Sequence, residues 1–146
     1  LNKLANLYYE MHDLDTALRY YMEGLKIERV ALEEGHPHAI VTILNVAQIH
    51  RQRGSYKKAL ENYKEACTLQ LKKLGPNDFS MASILSNIGL MHYQLKDYPV
   101  AFDNYQEALR IQRDHFGTDD NLEIASTLNS IGLVLFNQGT HELALG

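Results

Sequence analysis

Histidine and cysteine are the residues of this chain that could most readily bind a metal ion or catalyse a reaction. The sequence holds seven histidines and a single cysteine, Cys67. No His-Glu-x-x-His motif occurs, and no histidine pairs with Cys67 at a zinc-site spacing. His36 and His38 flank Pro37 in a turn-rich connector, where a structural role is expected. The sequence therefore predicts no metal site and no cofactor.

Other catalytic patterns are missing as well. The sequence has no glycine-rich phosphate loop, no Ser–His–Asp order and no pair of carboxylates placed for acid–base chemistry. Cys67 follows Ala66 on a predicted helix and is expected to be a small core residue rather than a nucleophile. We therefore expect no catalytic residues, and a protein that is not an enzyme by itself.

Composition and charge limit the partners. The 146 residues are 45% hydrophobic and 22% charged, with a formal net charge of −4. This charge does not favour nucleic acid or a membrane surface as the main partner. One cysteine allows no intrachain disulfide, and neither a bilayer-spanning run nor a signal-peptide pattern is present. We expect a cytoplasmic protein, given as a fragment of a longer chain.

A pattern of small and aromatic residues repeats every 42 residues. Its third copy is Gly89, Ala101, Tyr105 and Ala108. The other copies are Ala47, Ala59, Tyr63 and Ala66; Ala5, Ala17, Tyr21 and Gly24; and, 43 residues further on, Gly132 and Ala144. Such a period predicts units that bury their apolar surface only by stacking on their neighbours. We expect one array with repeats at about 1–36, 37–78, 79–120 and an incomplete 121–146.

Each repeat reads as two helices. In the third copy, Met81, Ile84, Ile88 and Met91 recur at three- and four-residue spacing, which indicates an amphipathic helix. Capping residues then recur before each second helix. The predicted helices are 1–11, 14–33, 38–53, 56–73, 79–95, 98–115, 122–138 and a stub from 140.

Residues suited to helix ends mark the break inside each repeat. Asp13, Ser55, Asp97 and Thr140 share one register and can cap the second helix. Gly54 and Gly139 suit the left-handed conformation that ends the first helix. Within each repeat, the small residues let the two helices cross closely, so that Ala5, Ala47, Gly89 and Gly132 face Ala17, Ala59, Ala101 and Ala144.

The small–Ala–Tyr–Ala pattern resembles the tetratricopeptide repeat and covers essentially the whole chain. A period near 42 rather than 34 residues resembles the lengthened repeats of kinesin light chains. The stretch GLKIERVALEEGHPHAIVTILNVA, from Gly24 to Ala47, carries the Gly…His-Pro connector of that group. The resemblance implies an all-α solenoid, an α-α superhelix of stacked antiparallel helix pairs.

The resemblance also implies a binding face. Tetratricopeptide arrays hold an extended peptide or a partner helix on the concave side formed by their first helices. Transferred by register, that side here is rich in amides and aromatic residues: Asn2, Asn6, Tyr9, Asn45, Gln48, Arg51, Gln52, Asn87, Leu90, Tyr93, Gln94, Asn129, Leu133, Phe136 and Asn137. Amides can pair with both backbone groups of a peptide of any sequence. The alternative is that these residues form an ordinary solvated helix face.

Two ligand classes of related arrays fit poorly. A clamp for a C-terminal carboxylate needs cations where Asn2, Ser83 and Asn87 stand. A groove for acidic cargo motifs would need more basic residues than Arg51.

Charge and histidine leave further alternatives open. Residues 51–73 carry a net charge of +5, and the chain from Asp114 onward carries −5. A solvated surface, an acidic partner or self-association through the array ends would each fit this asymmetry. His50 and His92 share a register and are either core filler or a pH-sensitive pair.

The sequence thus favours a non-catalytic protein–protein interaction scaffold that binds a protein or peptide in a groove. The alternatives are a structural spacer or self-assembly segment of a longer array, and a regulatory sensor domain of a fused enzyme.

Overall fold

The chain is predominantly helical in the part that its computed structural model describes, residues 2–10, 13–31 and 37–145. The helices are α1 (Asn2–Glu10), α2 (Leu14–Ala31), α3 (Pro37–Gln52), α4 (Tyr56–Leu74), α5 (Ser80–Gln94), α6 (Tyr98–Phe116) and α7 (Leu122–Leu145). These described ranges contain no strand. The all-α solenoid class is confirmed. The chain divides into two compact units, Leu1–Lys73 and Leu74–Gly146, which we call unit 1 and unit 2.

The first six helices lie within two residues of their predicted bounds. The predicted ends at residues 1, 11 and 33 fall outside the described residues. We call α1, α3, α5 and α7 the first helices, and α2, α4 and α6 the second helices.

The prediction for the end of the chain is wrong, because α7 runs without a break from Leu122 to Leu145. Thr140 does not cap a new helix; its hydroxyl donates to the Phe136 carbonyl oxygen at 3.0 Å. Gly139 is not among the glycines that have a left-handed φ in the described part of the chain. Extending an existing helix fixes one residue for each hydrogen bond gained, whereas a new helix needs a costly nucleus. Gly132 and Ala144 therefore lie about 18 Å apart on one helix and cannot pair.

Of the predicted caps before α2, α4 and α6, the one at Asp13 is confirmed, and the one at Ser55 stays a prediction. The Thr16 amide donates to the Asp13 carboxylate at 3.3 Å, as expected of a cap. Asp97 precedes α6 but makes no such bond; its carboxylate lies 3.4 Å from His92 Nδ1 instead. The Asp97 capping prediction is therefore wrong, since that carboxylate approaches a side chain of the preceding helix.

Helix α3 takes part in two apolar clusters among the described residues of unit 1. Ala5, Ala17, Tyr21, Val46 and Ile49 form the first cluster, from α1, α2 and α3. The second cluster joins α2, α3 and α4 through Leu25, Ala39, Ile40, Ile43 and Ala66. The small residues at the predicted helix crossings, Ala5, Ala17, Ala47 and Ala59, are fully buried.

Unit 2 confirms the predicted close crossing of α5 and α6. A Cβ added at Gly89 would lie 3.2 Å from the Tyr105 ring and 3.3 Å from the Ala101 carbonyl oxygen. Ala101 is fully buried. Glycine and alanine are needed here because the two helices leave no room for a larger side chain. The Tyr105 ring also joins α6 to Ile131 and Val134 of α7 in one apolar cluster.

The turns inside the second and third repeats have the same geometry. Gly54 has a φ of 76°, and its amide donates to the Arg51 carbonyl while the Ser55 amide donates to that of His50. Lys96 occupies the equivalent position with a φ of 65°, and the amides of Lys96 and Asp97 donate to the Tyr93 and His92 carbonyls. Both turns are Schellman motifs. Lysine pays a steric cost in this conformation that glycine avoids.

We expect Lys96→Gly to raise the free energy of unfolding by about 0.5–1 kcal/mol, because it relieves the left-handed strain. Lys96→Ala is the matched control, since it removes the same side chain but keeps a Cβ. Thermal or urea unfolding would compare the two. An equal stabilisation by both substitutions would contradict the strain explanation.

Candidate functional site

In unit 1, part of the predicted binding row holds two first helices together. Gln52 Nε2 of α3 donates to Tyr9 Oη of α1 at 2.7 Å. Asn6, also on α1, accepts a hydrogen bond from the Tyr21 hydroxyl of α2. Asn45, Gln48 and Arg51 lie half-buried on α3, and the side chain of Asn2 falls outside the described residues.

Unit 2 repeats the same bond between its own first helices. Asn137 Nδ2 of α7 donates to Tyr93 Oη of α5 at 2.9 Å. Tyr93 lies two repeats after Tyr9 and Asn137 two repeats after Gln52. In each unit a tyrosine hydroxyl therefore accepts a bond from an amide of the following repeat. The sequence analysis did not predict this hydrogen bond between first helices. The tyrosines and amides at matching repeat positions could have indicated it.

The remaining predicted residues of unit 2 give this face an exposed apolar surface. Phe136 is 71% exposed and Leu133 is 55% exposed, both on α7. Leu90 and Tyr93 of α5 are half-buried and pack on the unit 2 cluster. Gln94 and Asn129 are exposed polar neighbours in the row, whereas Asn87 is half-buried. We call Leu90, Tyr93, Leu133 and Phe136 the apolar patch.

A cleft in unit 2 adds a polar feature that the sequence did not reveal. It has a volume of about 380 Å³ and is lined by Phe79, Ser80, Ala82, Ser83, Ser86, Asn87, Gln112, Glu123, Ser126 and Thr127. Its buried residues are Ala82, Gln112 and Thr127, and Thr127 Oγ1 donates to Gln112 Oε1 at 2.8 Å. Ser83 and Ser126 stand at the same repeat position on α5 and α7. That matched pair of serines was the available signal.

A second cleft, in unit 1, is lined partly by residues of the positively charged stretch 51–73. It has a volume of about 430 Å³ and is lined by Leu18, Met22, His50, Arg53, Ser55, Lys58, Glu61 and Asn62. Burial, and then the charge of Lys58, hold the pKa of His50 below its usual value. Arg53 is ion-paired with Asp15. Part of the positive charge here is therefore neutralised within the unit.

One face of α7 is apolar and exposed. Leu128 is 42% exposed and Leu135 is 50% exposed, and an added Cβ on Gly132 would contact nothing within 4 Å. The equivalent glycine on α5, Gly89, packs against α6. In the described part of unit 2, no helix packs against Gly132 as α6 packs against Gly89.

Nowhere in the described residues do three or more His, Cys, Asp or Glu side chains come together to hold a metal ion. Burial raises the pKa of the Cys67 thiol, which disfavours the nucleophilic thiolate. None of the helices over 2–10, 13–31 and 37–145 combines the length and the apolar character needed to cross a bilayer.

Comparison with known families gives one match that covers most of the chain. The family model described as "Tetratricopeptide repeat" matches residues 1–72 and 80–146. A comparison with curated protein sequences finds no significant match.

Several solved structures share the fold. BtubC (BKLC) from P. vanneervenii is 27% identical with a TM-score of 0.86, and the match covers 94% of this chain and 55% of that one. A putative kinesin light chain from Podosopora anserina with nearly identical TPR-like repeats is 14% identical, with a TM-score of 0.80 and coverage of 98% and 67%. The Sgt2 TPR domain from Aspergillus fumigatus is 14% identical, with a TM-score of 0.64 and coverage of 99% and 80%. This chain therefore spans about half the length of BtubC.

Proposed function

Since the chain belongs to the tetratricopeptide repeat family, we propose that it is a non-catalytic scaffold whose first helices bind an extended peptide or a partner helix. The family and its structural relatives support a role in protein interaction generally. The more specific proposal concerns the face of the first helices and its occupant.

The observation that carries the proposal is the apolar patch. Phe136 and Leu133 of α7 are more than half exposed to solvent, and half-buried Tyr93 and Leu90 stand at the same repeat positions on α5. Contiguous exposed apolar residues with polar neighbours are typical of protein interaction surfaces. Aromatic side chains contribute strongly to such interfaces because they bury a large area.

The amides of this face take two different roles in the proposal. Gln52 and Asn137 bond to tyrosines of the preceding repeat and so fix the spacing of the first helices. Gln94 and Asn129 are exposed and extend the polar margin of the apolar patch. A bound peptide would place apolar side chains on the patch and pair its backbone with such amides.

Selection from a displayed peptide library followed by direct titration tests this proposal. We expect Leu133→Ser combined with Phe136→Ser to weaken the selected peptides by at least about tenfold, because two apolar anchors are lost. The matched control is Leu71→Ser on the second helix α4, where Leu71 is 43% exposed. Equal affinity of the double variant and the wild type would remove the apolar patch from the proposal.

Self-association is the second candidate, and one observation favours it. Leu128 and Leu135 form a partly exposed apolar surface on α7 that a second copy of the chain could cover. Sedimentation velocity would favour this reading if the mass rises with concentration in the absence of peptide. A constant monomer mass over the same concentration range would count against it.

The broader organisation follows the same proposal. Residues 1–146 would form one array of repeats within a longer cytoplasmic protein. The reducing compartment is proposed because the sequence contains a single, half-buried cysteine.

A further inference from the structure

The polar cleft of unit 2 is the feature that the apolar patch leaves unused. We propose that it binds a cationic side chain, arginine in particular, of the peptide held by the first helices. This inference rests on the proposed function, since it names a chemical property of the same ligand. It is carried by the cleft's lining, which combines a carboxylate with hydroxyls and holds no Lys or Arg.

Glu123 supplies the charge of the cleft. Its side chain is exposed, and no Lys, Arg or His among the described residues forms an ion pair with it. Its backbone amide donates to Asn121 Oδ1 at 2.8 Å, which fixes Glu123 in the first turn of α7. A carboxylate carried beside a cleft by an anchored backbone is available to a guanidinium group, whose planar fork matches its two oxygens.

The two arginines nearest to Glu123 in sequence are already paired, whereas His115 stacks its ring on Phe79 of the cleft lining, with 3.8 Å between the ring centroids. Arg110 bonds to Glu107 and Asp114, and Arg113 bonds to Asp119 at 2.9 Å. These pairs lie on α6 and the connector that follows it. The arginine charges are balanced locally, so the charge of the lining itself comes from the carboxylate of Glu123.

The hydroxyls supply further acceptors at matched positions. Ser83 of α5 and Ser126 of α7 are exposed at the same repeat position and line the cleft. A hydroxyl oxygen has two lone pairs, and a guanidinium group carries five N–H donors. The buried bond between Thr127 and Gln112 holds the adjoining parts of α6 and α7 together. The cleft therefore presents several acceptors on a fixed base.

Other occupants fit less well. An anion would meet the Glu123 carboxylate with no cation in the lining to compensate. An apolar side chain would cover hydroxyl and amide groups that now bond to water, and it would offer them no hydrogen bonds in return. The volume of about 380 Å³ lies near the lower limit of small-ligand sites, which suits one long side chain.

NMR titration of the ¹⁵N-labelled chain with small probes tests the inference. The probes are Nα-acetyl-arginine amide, Nα-acetyl-lysine amide and Nα-acetyl-citrulline amide, the last a neutral isostere of arginine. We expect arginine amide to shift the backbone signals of Ser83, Glu123 and Ser126, with an affinity at least about fivefold above citrulline amide. Lysine amide should bind between the two, since its ammonium cannot form a bidentate pair.

Two variants make the test specific. Glu123→Gln should remove the difference between arginine amide and citrulline amide. Asp103→Asn changes the net charge equally at an exposed position of α6 outside the cleft and should leave the difference intact. Equal shifts from arginine and citrulline amides in the wild type, or no shifts at these residues, would overturn the inference.

The probes separate this inference from the proposed function. Library peptides that depend on Leu133 and Phe136 but show no preference for arginine would retain the scaffold and reject the cationic site. Arginine amide binding without any selected peptide would retain the cationic site and reject the peptide groove.

Discussion

Replacing Ala101 with leucine is expected to lower the free energy of unfolding by about 1–3 kcal/mol, because the added side chain overpacks the crossing of α5 and α6. Ala101 is fully buried, and its carbonyl oxygen lies 3.3 Å from a Cβ built on Gly89. The Tyr105 ring closes the same crossing at 3.2 Å. Close-packed neighbours on each side leave the leucine no room.

Urea or thermal unfolding would measure this effect. The matched control is Gln106→Leu, which introduces the same residue at an exposed position of α6 and should change stability by less than about 0.5 kcal/mol. A melt of Ala101→Leu that coincides with the wild type would show that α5 and α6 do not cross as closely as described.

Removing the Thr127 hydroxyl is expected to lower the free energy of unfolding by about 1–3 kcal/mol, because Thr127→Val leaves the Gln112 side chain without a buried partner. Gln112 is 6% exposed and Thr127 is 5% exposed, so water has little access to either side chain. The bond of 2.8 Å between them joins α6 to α7. Its loss should lower the unfolding temperature of unit 2.

A double-mutant cycle separates the bond from the packing. Combining Thr127→Val with Gln112→Met replaces both polar partners by apolar groups and should cost less than the sum of the single changes. Thr68→Val on α4 is the control, since Thr68 is exposed and its hydroxyl donates to the Lys64 carbonyl oxygen at 3.0 Å. Additive losses in the cycle would contradict a direct bond.

The sequence predicted the helices well because closely packed helices require small residues at fixed positions. Gly89 and Ala101 fit only a close helix crossing, and their 42-residue spacing repeats it along the chain. Period and size together left little choice of fold. Local signals did less well, since Asp97 and Thr140 have the chemistry of helix caps and neither acts as one.

The binding face was harder to predict because an amide or a tyrosine has two uses. Tyr93 and Asn137 stand where a peptide could contact them, yet they bond to each other across repeats. Only the three-dimensional structure distinguishes side chains that bond within the chain from side chains that are available to a ligand. The polar cleft was missed for a related reason. Gln112 of α6 and Thr127 of α7 are 15 residues apart in sequence, and no sequence motif indicates that they bond to each other.

We propose that the first helices, rather than the second helices, form the binding surface. Chemical-shift mapping of unit 2 with a library-selected peptide tests this most directly. We expect the largest shifts at Leu90 and Tyr93 of α5 and at Leu133 and Phe136 of α7, with small shifts along the exposed side of α6. Shifts concentrated on α6, with α5 and α7 unchanged, would contradict it.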